Sequence, residues 1–101
     1  MEQIAYKELE NRKKPTTTIE DESASYDCYE LLNFNTLNML VTTKLPEAKY
    51  VFVESLWEPE QQQQVYNLMF FDDDEEHIGG CELTNQKLFW DDDETAPDSS
   101  A

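Results

Sequence analysis

The chain has 101 residues, with 23 acidic side chains against seven basic ones and a formal charge of −16. That length suits one domain, and a hydrophobic fraction of 39% with 12% aromatics excludes an acidic disordered tail, which lacks groups able to bury. The imbalance sharpens after residue 14: residues 15–101 hold three lysines against twenty acids, a balance of −17. Like charges oppose collapse, so the excess points to a partner with a strongly positive surface. Phosphate repulsion disfavours direct nucleic-acid binding everywhere except the short basic run Arg12–Lys14.

Residues 2–14 read as a short helix, with Glu2 near its start and Arg12, Lys13 and Lys14 near its end, as the helix dipole favours. Ile4, Ala5 and Leu9 supply only a thin apolar stripe. Pro15 ends it, and PTTTIEDESAS (15–25) reads as a linker or extended arm. Tyr26 to Phe34 fits neither period cleanly, so a strand or a helical turn stays open there. The run LNMLVTT (37–43) suits a strand, and Leu45–Ala48 a turn.

YVFVESLWE (50–58) is the clearest strand, rich in aromatic and β-branched residues. Val51, Val53, Ser55 and Trp57 take one face, with Trp57 expected in the core. Phe52, Glu54, Leu56 and Glu58 take the other. A strand VYNLMFF (65–71) follows, then a loop DDDEEHIGG in which Gly79 and Gly80 would supply a positive-φ turn. CELTNQKLFW (81–90) is its partner strand, and DDDETAPDSSA (91–101) is an acidic tail with nothing to bury. The expected fold is therefore α+β: a small single domain with an antiparallel sheet of about four strands, a short N-terminal helix and an acidic C-terminal tail. It divides into residues 1–25 (helix and arm), 26–90 (core domain) and 91–101 (tail). Because the core is small, a homodimer would enlarge it.

No apolar run reaches the length of a membrane span, and residues 1–14 lack the apolar segment of a secretory signal. Cys28 and Cys81 lack metal-ligand spacing and are expected as buried thiols in a reducing compartment, with a disulfide between them as the alternative. These features imply a cytoplasmic protein, in the host cytoplasm if it is viral. With only two glycines in the chain there is no phosphate cradle, and no nucleophile motif accompanies the single histidine, His77. The expectation is a non-enzyme without cofactor or dedicated metal site. DDDEEHIGG lacks the alternating order of a calcium loop.

Two acidic clusters are the candidate partner-binding groups: Asp72, Asp73, Asp74, Glu75 and Glu76, and Asp91, Asp92, Asp93 and Glu94. Each follows an aromatic pair, and in a simple hairpin they would sit at opposite ends. Glu54, Glu58, Glu60 and Glu82 add carboxylates along the sheet between them. A row of carboxylates imitates the phosphates of a nucleic acid, which present one charge per about 1.7 Å of duplex axis. A basic groove built for the polymer would accept the row.

In size and charge the chain resembles DNA-mimic inhibitors that act against restriction, repair or nucleoid proteins. Val53-Glu54-Ser55-Leu56 resembles the Glu-Ser strand edge of uracil-DNA glycosylase inhibitors. That likeness implies a DNA-mimicking inhibitor of a basic nucleic-acid-binding, defence or repair protein. Two alternatives are a small adaptor binding through an apolar sheet edge, and an acidic carrier of the immunity-protein or histone-chaperone kind.

Overall fold

The computed structural model describes residues 1–91. Along them run α1 (Glu2–Glu10), β1 (Thr17–Glu20), β2 (Ser25–Glu30), a 3₁₀ turn (Leu31–Asn33), α2 (Asn35–Lys44), β3 (Tyr50–Glu58), β4 (Gln63–Phe71), β5 (His77–Leu83) and β6 (Leu88–Trp90). The strands form one antiparallel sheet in chain order, β1 to β6. The architecture is α+β, with two helices and six strands rather than about four.

Period-two alternation decides the two faces of this sheet. Val51 and Val53 of β3, Tyr66, Leu68 and Phe70 of β4, and Cys81 and Leu83 of β5 face the helices. There they pack with Ala5, Tyr6 and Leu9 of α1 and with Leu37 and Val41 of α2. On the opposite face Phe52, Met69 and Phe71 meet Ile19, Tyr26 and Cys28 from β1 and β2. The Tyr26 ring lies 5.1 Å from Phe52 and 5.7 Å from Phe71. The β1–β2 hairpin therefore curls over the back of the sheet. Residues 17–20, expected as part of an arm, form its outer strand because Ile19 has an aromatic surface to cover.

Helix α2 replaces the strand expected over 37–43. Thr36, Leu37 and Val41 are buried at helical spacing. The threonines that favour a strand are accommodated by back-bonding, Thr42 Oγ1 to the Asn38 carbonyl at 2.7 Å and Thr43 Oγ1 to that of Met39 at 2.8 Å. The residue at its N-cap, Phe34, offers no capping side chain. Glu8 of α1 does so instead: Thr36 N–H donates to Oε2 and Leu37 N–H to Oε1, both at 2.9 Å. One carboxylate thus satisfies two orphan donors and meets the positive end of the helix dipole. α1 itself stops at Asn11, and the Arg12 guanidinium donates to the Leu9 carbonyl at 2.8 Å.

The glycines do not make the turn. Neither has positive φ; that role falls to Gln62 (φ 54°) before β4 and Glu75 (φ 65°) before β5. Gly79 and Gly80 lie inside β5, where close neighbours exclude a side chain. A Cβ on Gly80 would stand 2.8 Å from Asp91 Oδ2 and 2.9 Å from the Leu68 carbonyl oxygen. One on Gly79 would meet Leu45 Cδ1 at 2.8 Å.

Residues 81–90 are likewise not one strand. The chain reverses over 84–87, where Thr84 Oγ1 accepts from Lys87 N–H at 3.0 Å and Gln86 N–H at 3.2 Å. β6 therefore runs in the same direction as β4, and Phe71 and Trp90 finish toward the same end of the sheet.

Stability should respond at two points. Glu8→Ala lowers the unfolding free energy by about 1–2 kcal/mol in urea titration, with Glu8→Gln falling between. Gly80→Ala costs about 1–3 kcal/mol because it strikes backbone, whereas Gly79→Ala costs less because the Leu45 tip can turn aside.

Candidate functional site

β2 pairs with β3 only over Cys28–Glu30 against Phe52–Tyr50. Beyond Phe52 it leaves to join β1 over the back face. β4 continues alongside β3 for nine unbroken pairs, Tyr50↔Phe71 to Glu58↔Gln63. Among the described residues, then, nothing hydrogen-bonds as a strand to the other side of β3 from Val53 to Glu58. Glu54, Ser55, Leu56 and Trp57 are all exposed on this open half. Trp57 shares the helix-side face with Val51 and Val53, as its position requires. It is 58% exposed rather than core because it projects beyond the covered part of the sheet. At the inner limit of the edge Arg12 reaches Ser55 Oγ at 3.4 Å and lies over the Tyr66 ring.

The back face carries the carboxylates that belong to rigid strands. Glu54, Asn67, Glu82 and Phe89 stand in one cross-strand row. Glu54 and Glu82 are two strands apart, about 9.5 Å by strand spacing. Asp91 lies one residue past the end of β6. Its Oδ2 sits over Gly80. Glu58 ends β3 on the same face, and Glu60 follows in the turn. Phe52, Leu56, Val65 and Met69 occupy intervening back-face positions, so charge and apolar surface interleave.

The loop cluster is divided. Asp72 turns inward: its Oδ1 accepts from the backbone N–H of Asp74 at 2.9 Å and of Glu76 at 3.0 Å, shaping the turn. Asp73 accepts from Lys49 Nζ at 2.9 Å, and this pair raises the lysine's affinity for its proton. Asp74, Glu75 and Glu76 remain as exposed acids. Because β4 and β6 end on the same side, this loop and Asp91 share one end of the sheet, not opposite ends as a simple hairpin would have it. Glu58 and Glu60 lie at the β3–β4 turn end, with Glu54 midway along β3. Asp92, Asp93 and Glu94 lie outside the described residues.

Three of the basic residues collect elsewhere, whereas Lys87 stands 5.9 Å over the Phe89 ring at the end of the carboxylate row. Arg12, Lys13 and Lys14 line a groove of about 480 Å³ with Glu8, Tyr29, Asn33 and Phe34. It opens beside the α2 N-terminus. His77 is exposed with its ring 5.7 Å from Phe71. Among the described residues no three His, Cys, Asp or Glu side chains group to hold a metal, and no helix is long and apolar enough to cross a membrane. The open edge was not readable from the sequence; its signal, a strand less apolar after Val53 than before it, resembles any sheet periphery. No known protein family, curated protein or solved structure matches the chain.

Cys28 and Cys81 are free, buried and on opposite faces of the sheet. Burial, then the negative fields of Asp27 and Glu75, push the Cys28 thiol up to about 11 from 9.0. Burial pushes Cys81 up as well, followed by the fields of Asp91 and Glu82. Cys28 is also fully buried, so iodoacetamide at pH 8 is expected to modify it at least about 100-fold more slowly than an ordinary thiol. The folded state holds the proton more tightly than the unfolded state. Its stabilisation is accordingly complete below pH 9 and lost as pH rises through about 11. Cys28→Val makes that alkaline limb shallower in pH-dependent urea titration, leaving the part that Cys81 contributes.

Proposed function

We propose that the protein is a non-catalytic acidic inhibitor that occupies the basic surface of a nucleic-acid-binding protein by presenting carboxylates where phosphates would lie. The observation carrying this reading is that Glu54, Glu82 and Asp91 project from the back of one continuous sheet. Strand geometry sets Glu54 and Glu82 about 9.5 Å apart, and Asp91 stands just past the end of β6 with its Oδ2 over Gly80. Fixed spacing matters because a groove of Lys and Arg built for a polymer rewards charges that need no ordering on arrival. Glu54, Glu58, Glu60 and Glu82 accept no hydrogen bond or ion pair among the described residues, so their charge is directed outward.

The partner in this reading is a cationic nucleic-acid enzyme or a defence or repair protein, met in the cytoplasm. Electrostatic attraction speeds the encounter and weakens with salt. A second reading, an adaptor whose apolar surface supplies the binding, is favoured by the exposure of Leu56 and Trp57. Salt separates the two, since apolar contact survives high ionic strength.

With the full chain immobilised at low salt, host proteins retained on it are expected to be eluted by duplex DNA and by raised salt. The exposed-face variant Glu54→Gln/Glu58→Gln/Glu82→Gln is expected to retain markedly less. Retention that neither duplex DNA nor salt disturbs, and that the triple variant leaves intact, overturns the mimic and supports the adaptor.

A further inference from the structure

The carboxylate face leaves unexplained why half of a central strand is paired on one side only. Unpaired strand edges are templates for further pairing, and folded proteins ordinarily blunt them with lysine, proline, bulges or a covering segment. Val53–Glu58 has none of the first three: the sequence is VESLWE, and its pairing with β4 runs without a register shift. Every second residue of an antiparallel strand turns its N–H and C=O to one side, so a row of donors and acceptors lies open along this stretch. Two large side chains flank it, Leu56 on the back face and Trp57 on the helix side, exposed by 47% and 58%.

Resting on the reading of a cationic partner, we propose that this edge receives an extended segment of that partner as an added β-strand. Charge chooses the occupant. A second copy of the chain is disfavoured, because each copy carries −16 and the antiparallel register centred on Leu56 sets Glu54 against Glu58 twice. Like charges directly opposite one another destabilise a strand pair. A basic strand reverses that sign. Across the back face it meets Glu54, Leu56 and Glu58 in alternation, so it needs a cation, an apolar residue and a cation at every second position. Across the other face it meets Ser55, which Arg12 already contacts, and Trp57, so a neutral β-branched or small residue packs there. The recognised sequence is thus Lys/Arg-x-apolar-x-Lys/Arg in extended conformation. It reads the same in both directions and so leaves strand polarity open. Backbone pairing supplies affinity and the alternating side chains supply specificity.

The test uses the intact chain and a peptide containing Lys-Thr-Val-Thr-Lys, a control of identical sequence N-methylated at alternate amides, and poly-lysine. The first peptide is expected to bind at least about tenfold more tightly than the second, the difference of two or three net hydrogen bonds. It should also slow hydrogen exchange selectively at amides within 53–58. If both peptides bind alike without protecting those amides, the added strand is overturned while the cationic-partner reading stands. Binding of poly-lysine but of neither peptide likewise overturns the added strand alone. If nothing binds at low salt, both fall. Concentration-dependent protection of 53–58 in the chain alone identifies a second copy as the occupant and also overturns the proposal.

Discussion

The ladder between β3 and β4 is the interaction on which the rest depends. Nine pairs run from Tyr50↔Phe71 to Glu58↔Gln63 without interruption. Burial is unequal along them. Near Val51 and Phe70 the ladder is covered on one face by the helices and on the other by the curled β1–β2 hairpin. Toward Trp57 that double cover gives out, and only β4 continues to support β3. The same regular backbone is thus a core element at one end and an exposed platform at the other.

A chain of this charge folds because the acids of its strands are kept apart and wet. At about 9.5 Å, two unit charges in water repel by about 0.4 kcal/mol before screening, and physiological salt screens beyond about 8 Å. Burying a leucine or phenylalanine side chain contributes about 1.5–3 kcal/mol, so a core containing Phe70, Leu68, Leu37 and Val51 outweighs many such pairs. Spacing on a sheet makes the imbalance tolerable. It also holds the charges in a pattern rather than a cloud.

Not all of the acids serve the surface. Glu8 caps a helix, Asp72 shapes a turn and Asp73 engages Lys49. Each does so because a nearby group needed a partner: orphan N–H donors in the first two cases and a lysine in the third. Glu54 and Glu82 have no such neighbour among the described residues. Composition treats these residues as equivalent, and the fold separates them by what stands within hydrogen-bonding reach.

Much of the sheet could be read directly from the sequence. Alternation over 50–58 and 65–71 is a local property of the backbone, so the faces of Val51, Phe52, Val53 and Glu54 follow from their order alone. The acidic surplus was legible because it is a property of composition, whereas the pairing of Cys28 and Cys81 was left open by the sequence and is decided by the fold, which buries them on opposite faces of the sheet. Only tertiary structure decided the rest. Residues 35–44 are helical because Glu8, remote in sequence, caps them and because Leu37 and Val41 have a sheet to cover. Gly79 and Gly80 are strand residues because Leu45, Asp91 and the Leu68 carbonyl crowd them. Trp57 is exposed, and the β3 edge open, because β2 bends away after three pairs to bury Ile19 and Tyr26. Each outcome turns on which segments meet in space, and local periodicity carries no record of that.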